Sequence, residues 1–254
     1  MDTSRSFRNK LIELFEHLTN TKWTPLIKTR VDPTTAMALA DAFEEAEHSP
    51  ECPHTQEAYQ AFCRETELQF VALVDAGLEV IPHPGEGQPY TRSPPMFADV
   101  CERRRICFYP TISGHGDGGL DLDQTRNPLM ADSGVRIGKT SLLQNDVFRI
   151  VHDVWGHALE QNNFHPDGEE NAWRSHLRMY SSLAARAMTT ETRGQNSWVN
   201  YGPNMRSKLT GRLLDERDPG WLKIPKRPYA KQKMVLLPEK FCRIDQHGAP
   251  CFGG

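Results

Sequence analysis

The chain has 254 residues, enough for one large domain or two small ones with a core that needs no disulfide staples. Thirty basic residues against 33 acidic ones leave a formal charge of -3, which excludes a general basic footprint for nucleic acid or anionic membrane. With 38% apolar and 25% charged residues it is too hydrophobic for disorder, and its glycines and prolines lack the period of a fibrous protein.

The first stretch has no apolar run of signal-peptide length, and no segment approaches the ~18 apolar residues of a membrane span, so a cytoplasmic protein is expected. Cys52, Cys63, Cys101, Cys107, Cys242 and Cys251 form no CxxC pair and read as reduced thiols. Phe7, Leu11, Leu14, Phe15 and Leu18 recur on one helical face and predict an amphipathic helix. Asp32-Pro33 starts a second helix, continued by Ala36, Leu39, Ala40 and Phe43 and stopped by His48, Ser49 and Pro50. Thr55 is expected to cap a long helix striped by Tyr59, Phe62, Cys63, Thr66, Phe70, Leu73 and Val74 and closed by Gly77.

Residues 78–81 read as a short strand, 82–95 as a loop rich in Pro and Gly, 96–104 as a short helix and 105–112 as a strand. The irregular stretch that follows carries Asp117, Asp121 and Asp123, a solvated loop because EF-hand spacing and its terminal glutamate are missing. Gly138-Lys139-Thr140 is no phosphate loop, since Gly134 precedes Gly138 by four residues and no parallel-strand pattern leads into it. Helices are expected over 145–156 and 168–192, and beyond Pro203 the chain is basic, Pro-spaced and weakly periodic. These elements predict an α+β fold, mainly helical with a few short strands, in a single catalytic domain over 1–254. Its parts are a helical segment (1–95), a metal-site core (96–203) and an irregular carboxy-terminal segment (204–254).

Polar density peaks between residues 145 and 203. His152 and His157 lie five positions apart, about 140° on an ideal helix, so both imidazoles face one point only if the helix ends or distorts near Gly156. The apolar neighbours Val147, Phe148, Ile150, Val151 and Val154 place them on a buried element. The plain alternative is a satisfied core histidine beside a helix-terminal one. Candidates for a third ligand are Asp153, Glu160, His165, Glu169, Glu170, His176 and Glu191. On a continuous helix from Gly168, Glu191 ends a stripe through Glu170, Trp173, Leu177, Tyr180, Ala184 and Ala187, so its carboxylate points inward and needs a partner. That partner is a cation, or else Arg193 or Arg136 in a buried ion pair. The same continuous helix puts His176 about 22 Å from Glu191, too far to share one ion. Two imidazoles and one carboxylate leave about three coordination positions open, a pattern suited to Fe(II) that binds O2 and a co-substrate together.

The run His152-Asp153-Val154-Trp155-Gly156-His157, with Thr190-Glu191 downstream, resembles the HDxxGH segment and TxE carboxylate of the pterin-dependent aromatic amino acid hydroxylases. The resemblance spans about residues 94–200 in element order. It implies that family's catalytic core, with His152, His157 and Glu191 binding Fe(II), Asp153 at the catalytic acidic position near the pterin, and Arg136 gripping a substrate carboxylate. Tetrahydropterin is the co-substrate that the family would use. Here Phe148-Arg149-Ile150-Val151 replaces the acidic-proline lead-in, Ala158-Leu159 replaces Val-Pro, and Ala187 and Thr192 replace the aromatics around the glutamate. The resemblance therefore implies a distant relative with altered specificity.

Arg193, Gln195 and Trp198, just beyond Glu191, are expected to recognise a polar substrate. The function expected is a mononuclear non-heme Fe(II) monooxygenase that hydroxylates a small polar or amino-acid-like molecule with O2. No nucleic acid or membrane partner is expected, and a homo-oligomer remains open. The alternatives are a zinc hydrolase on the same ligands, or a non-catalytic module in which the Gln-Asn-Trp-Asn-Tyr segment binds a ligand.

Overall fold

The computed structural model describes residues 6–85, 87–114 and 126–251, so Asp117, Asp121 and Asp123 lie outside the described residues. Helix α1, Phe7–Thr19, buries Phe7, Leu11 and Phe15 and ends in a left-handed Asn20. Helix α2, Pro33–Glu45, begins where the Asp32 carboxylate accepts the Thr35 amide at 2.8 Å, with proline pre-set at the first turn. Helix α3 runs over Pro53–Asp75; its cap position is Cys52, and Thr55 is a buried residue of the first turn rather than the cap. Gly77 closes it with φ of 99°, the left-handed conformation that a glycine adopts without strain.

Strand β1, Glu79–Pro82, pairs in parallel with β2, Arg105–Phe108, bringing Val80 opposite Ile106. Between them a short helix α4, Ser93–Phe97, runs directly into a π-helical turn over Ala98–Glu102. The expected strand over 105–112 stops at Phe108 and gives way to a helical turn α5, Thr111–Gly114. Strands β3, Asp132–Ile137, and β4, Thr140–Leu143, form an antiparallel hairpin around Gly138, an element that the glycine-lysine pair at its tip could have signalled.

Helix α6, Gln144–His152, is fastened at its start by Asp146, which accepts the Leu143 amide at 2.9 Å and the Thr111 amide and hydroxyl at 2.7 and 2.6 Å. It continues as a π-helix over Asp153–Ala158, where Leu159 N–H reaches the Val154 carbonyl five residues back. The helix expected over 168–192 is broken. Helix α7, Pro166–Leu177, ends in tight turns, and Ser181 caps α8, Ser182–Thr189, by accepting the Ala184 amide. A further π-turn, Thr190–Gly194, leads into α9, Gln195–Tyr201. The remaining described residues carry short 3-10 turns and isolated bridges and bind the body through contacts such as Lys233 on the Glu44 and Ala46 carbonyls.

The whole is mainly helical with a few short strands, as an α+β reading requires. Among the described residues no helix is long and apolar enough to cross a membrane. Helix α6 and its π-turn form the spine between two hydrophobic clusters: Val147, Ile150, Val151 and Val154 pack with α1, β1 and β2, whereas Phe148 packs with α3, α7 and α8. A third cluster joins Leu39 and Phe43 of α2 to Trp198, Leu237 and Phe241.

The π-turn lies close against α7 at Gly156, where an added Cβ would stand 3.0 Å from the Ala172 carbonyl oxygen, 3.2 Å from Ala172 Cβ and 3.1 Å from His152 Cε1. Both helices are anchored in their cores, so the overlap has no flexible group to yield. Gly156→Ala should lower the unfolding free energy by roughly 1–3 kcal/mol in urea denaturation. Wild-type stability in that variant would show that the helices separate at no cost.

Candidate metal centre

Bonding from residue i to i+5 widens the helical turn and stacks residues five apart, so the π-turn brings His157 back over His152. Their ring centroids lie 5.1 Å apart at an interplanar angle of 87°. Asn162 ties off the turn beyond them, its side-chain amide donating to the Gly156 carbonyl at 2.8 Å and its own carbonyl accepting from His157 Nδ1 at 3.0 Å. His157 Nδ1 therefore carries a proton, and Nε2 faces the Glu169 carboxylate at 3.5 Å. His152 Nδ1 meets His176 Nδ1 at 3.1 Å, so its Nε2 is likewise the atom left for the interior of the group. Phe148 and Phe164 pack against the two rings, with Phe164 4.6 Å from His157.

His152, His157 and Glu169 each offer one ligand atom, and these atoms lie within 4.8 Å of one another. Two imidazole nitrogens and a carboxylate oxygen suit a borderline divalent cation such as Fe(II) or Zn(II). Burial by itself lowers the affinity of His157 for a proton, but the Glu169 and Asp153 carboxylates outweigh it and bring the imidazole up to about 9. His152 is held well below its ordinary value by burial and by the neighbouring His157 and His176. Asp153 is pushed up to about 6 by burial, against the pull of His157 and Arg149. Arg149, one turn before Asp153, thus adds a second cation to the field of His157 on this carboxyl.

Glu191 is not a member of the donor group. The break at Tyr180-Ser181 removes the continuous stripe on which its inward position was inferred, and its oxygens receive Tyr59 Oη at 2.6 Å, Gln195 Nε2 at 2.7 Å and Asn127 Nδ2 at 3.3 Å. The same break voids the argument that kept His176 away, and His176 is buried against His152. Arg193, expected to meet Glu191 or a substrate, is engaged with Glu170 and borders a cavity. It makes a bidentate bridge to Glu170 at 2.8 and 2.6 Å, donates to the Phe241 carbonyl and lies 4.1 Å over the Trp173 ring. Arg136 is on the exposed face of the hairpin and donates to Ser141 Oγ. Trp198 donates to Glu44, and Gln195 is the Glu191 partner already named, so both are committed to internal bonds. A cavity of about 230 Å³ bounded by Thr29, Asp32, Leu39, Glu170, Arg193 and Ser197 opens on the buried ion pair, and none of the three donors lines it.

No known protein-family model, curated protein or solved structure matches the chain.

Burial pushes the Glu191 carboxyl up to about 7 from its ordinary 4.5, in spite of its three donors. The folded chain therefore holds this proton more tightly than the unfolded chain, and the stabilisation is fully present below about pH 4.5 and lost as pH rises through about 7. Glu191→Gln should remove that slope, flattening a decline on the order of 2–3 kcal/mol between about pH 5 and pH 8. Urea melts at the two pH values check this, and an unchanged slope in the variant would contradict it.

Proposed function

We propose that the chain is a metal-dependent enzyme, a mononuclear non-heme Fe(II) oxygenase in which His152, His157 and Glu169 are the protein ligands. What carries the reading is the convergence of two imidazole nitrogens and one carboxylate oxygen within a single 4.8 Å neighbourhood. Three protein ligands leave about three positions of an octahedron for O2 and a co-substrate. The motif resemblance to the pterin-dependent hydroxylases lends support through both histidines, while the carboxylate comes from a different position in the chain.

Fe(II), when bound, would supply O2 activation and transfer of an oxygen atom to a small-molecule substrate, with tetrahydropterin or another reductant as electron source. The protein's part is to hold the two imidazoles as nitrogen donors, add the Glu169 charge and close one side with Phe148 and Phe164. Asp153 would take or give a proton near His157, its ionised form balanced by Arg149. Glu169, with 29% of its side chain exposed, marks the side from which a substrate reaches the group. A zinc hydrolase is the second reading, favoured by the same donor set and by Asp153 as a nearby base.

Anaerobic reconstitution should load about one Fe(II) per chain. Glu169→Ala should abolish stoichiometric binding, and Glu191→Ala should leave it intact. Elemental analysis of the reconstituted proteins checks this, and O2 uptake separates the iron reading from the zinc one. Loss of binding in Glu191→Ala with retention in Glu169→Ala would move the third ligand back to Glu191, and failure to load iron at all would overturn the reading.

A further inference from the structure

His176 is fully buried on α7, where its ring stacks on Phe148 and packs against Tyr180. Its Nε2 lies 3.0 Å from Gln69 Oε1 on α3, and its Nδ1 lies 3.1 Å from His152 Nδ1 on α6. The orientation of the Gln69 amide is fixed on its other side, where Nε2 donates to the Met179 carbonyl. Reversing that amide would turn its oxygen against a carbonyl oxygen, so the oxygen faces His176 and His176 Nε2 carries the proton. The ring's two partners, Gln69 and His152, are uncharged groups in a buried setting, which keeps His176 singly protonated. Its Nδ1 is then an acceptor, and the only hydrogen bond available to the pair of Nδ1 atoms runs from His152 to His176.

We propose that Gln69 and His176 form a two-step hydrogen-bond relay that fixes His152 as the Nδ1–H tautomer and aims its Nε2 lone pair at His157 and Glu169. Both are positioning residues, and their role toward a metal rests on the metal-centre reading above. Outer partners of this kind hold a ligand ring in tautomer and direction, and losing one typically costs about 10–100-fold in metal affinity.

Long-range proton–nitrogen correlation spectra of the metal-free protein test the relay without any metal. His152 should show a protonated Nδ1 and a bare Nε2, and His176 the reverse. A protonated Nε2 on His152 would overturn the proposal even if the protein binds iron. Its observed absence, in a protein that binds no metal, would leave the relay standing and sink the oxygenase reading instead.

In a protein that binds metal, His176→Leu should weaken Co(II) or Fe(II) binding in calorimetry by about 10–100-fold. His176→Gln, whose amide oxygen can accept from His152, should recover most of that loss. Equal losses in both variants at similar melting temperatures would count against the relay. If His176→Leu does not fold, the wild-type spectra and His176→Gln still decide the matter.

Discussion

The close approach of the α6 π-turn to α7 at Gly156 and Ala172 is the constraint on which the donor group depends. The wide turn lifts His157 over His152, and the contact with Ala172 draws α7 close enough for Glu169, one turn earlier, to reach the same point. Neither condition suffices alone. An ordinary α-turn would direct the rings about 140° apart, and a bulkier residue at 156 would hold the carboxylate away.

Three groups of buried charged or titratable side chains in this interior are held in separate knots. The Glu170–Arg193 bridge is buried with its remaining donors on a carbonyl and its cation over Trp173. Glu191 instead meets neutral donors from α3, α9 and the turn at Asn127, so it keeps its proton toward neutral pH. At the histidine pair the outer nitrogens are satisfied by Asn162 and His176, while the inner nitrogens converge with a carboxylate. In this last knot the metal-free His157 is held protonated by the Glu169 carboxylate, and a divalent cation would have to displace that proton.

The long helices were legible in the sequence because their apolar stripes coincide with the buried faces, as Leu11 and Phe15 show for α1 and Tyr59 and Phe62 for α3. The need for a distortion near Gly156 was also legible, since two inward histidines five apart demand one. Its form was not, because a π-turn differs from an α-turn by one residue and leaves no periodic trace over so short a run. The choice of Glu191 followed from extending one helix across Tyr180 and Ser181. Serine capping at 181 starts a new helix there, so distances calculated along one rod do not hold across it, although Trp173, Leu177, Ala184 and Ala187 still line one core cluster. Glu169 was among the candidates, but its selection depends on the contact between α6 and α7, which no local pattern encodes.

Each π-turn is, in length, an α-helix with one residue too many. Removing one residue between His152 and His157 would let the backbone relax into regular α geometry with the histidines four apart, about 40° from one another on the axis. A shortened chain could thus keep both its helices and its imidazole pair, which makes this a stretch of the molecule more tolerant of a cut than of a bulkier side chain at Gly156.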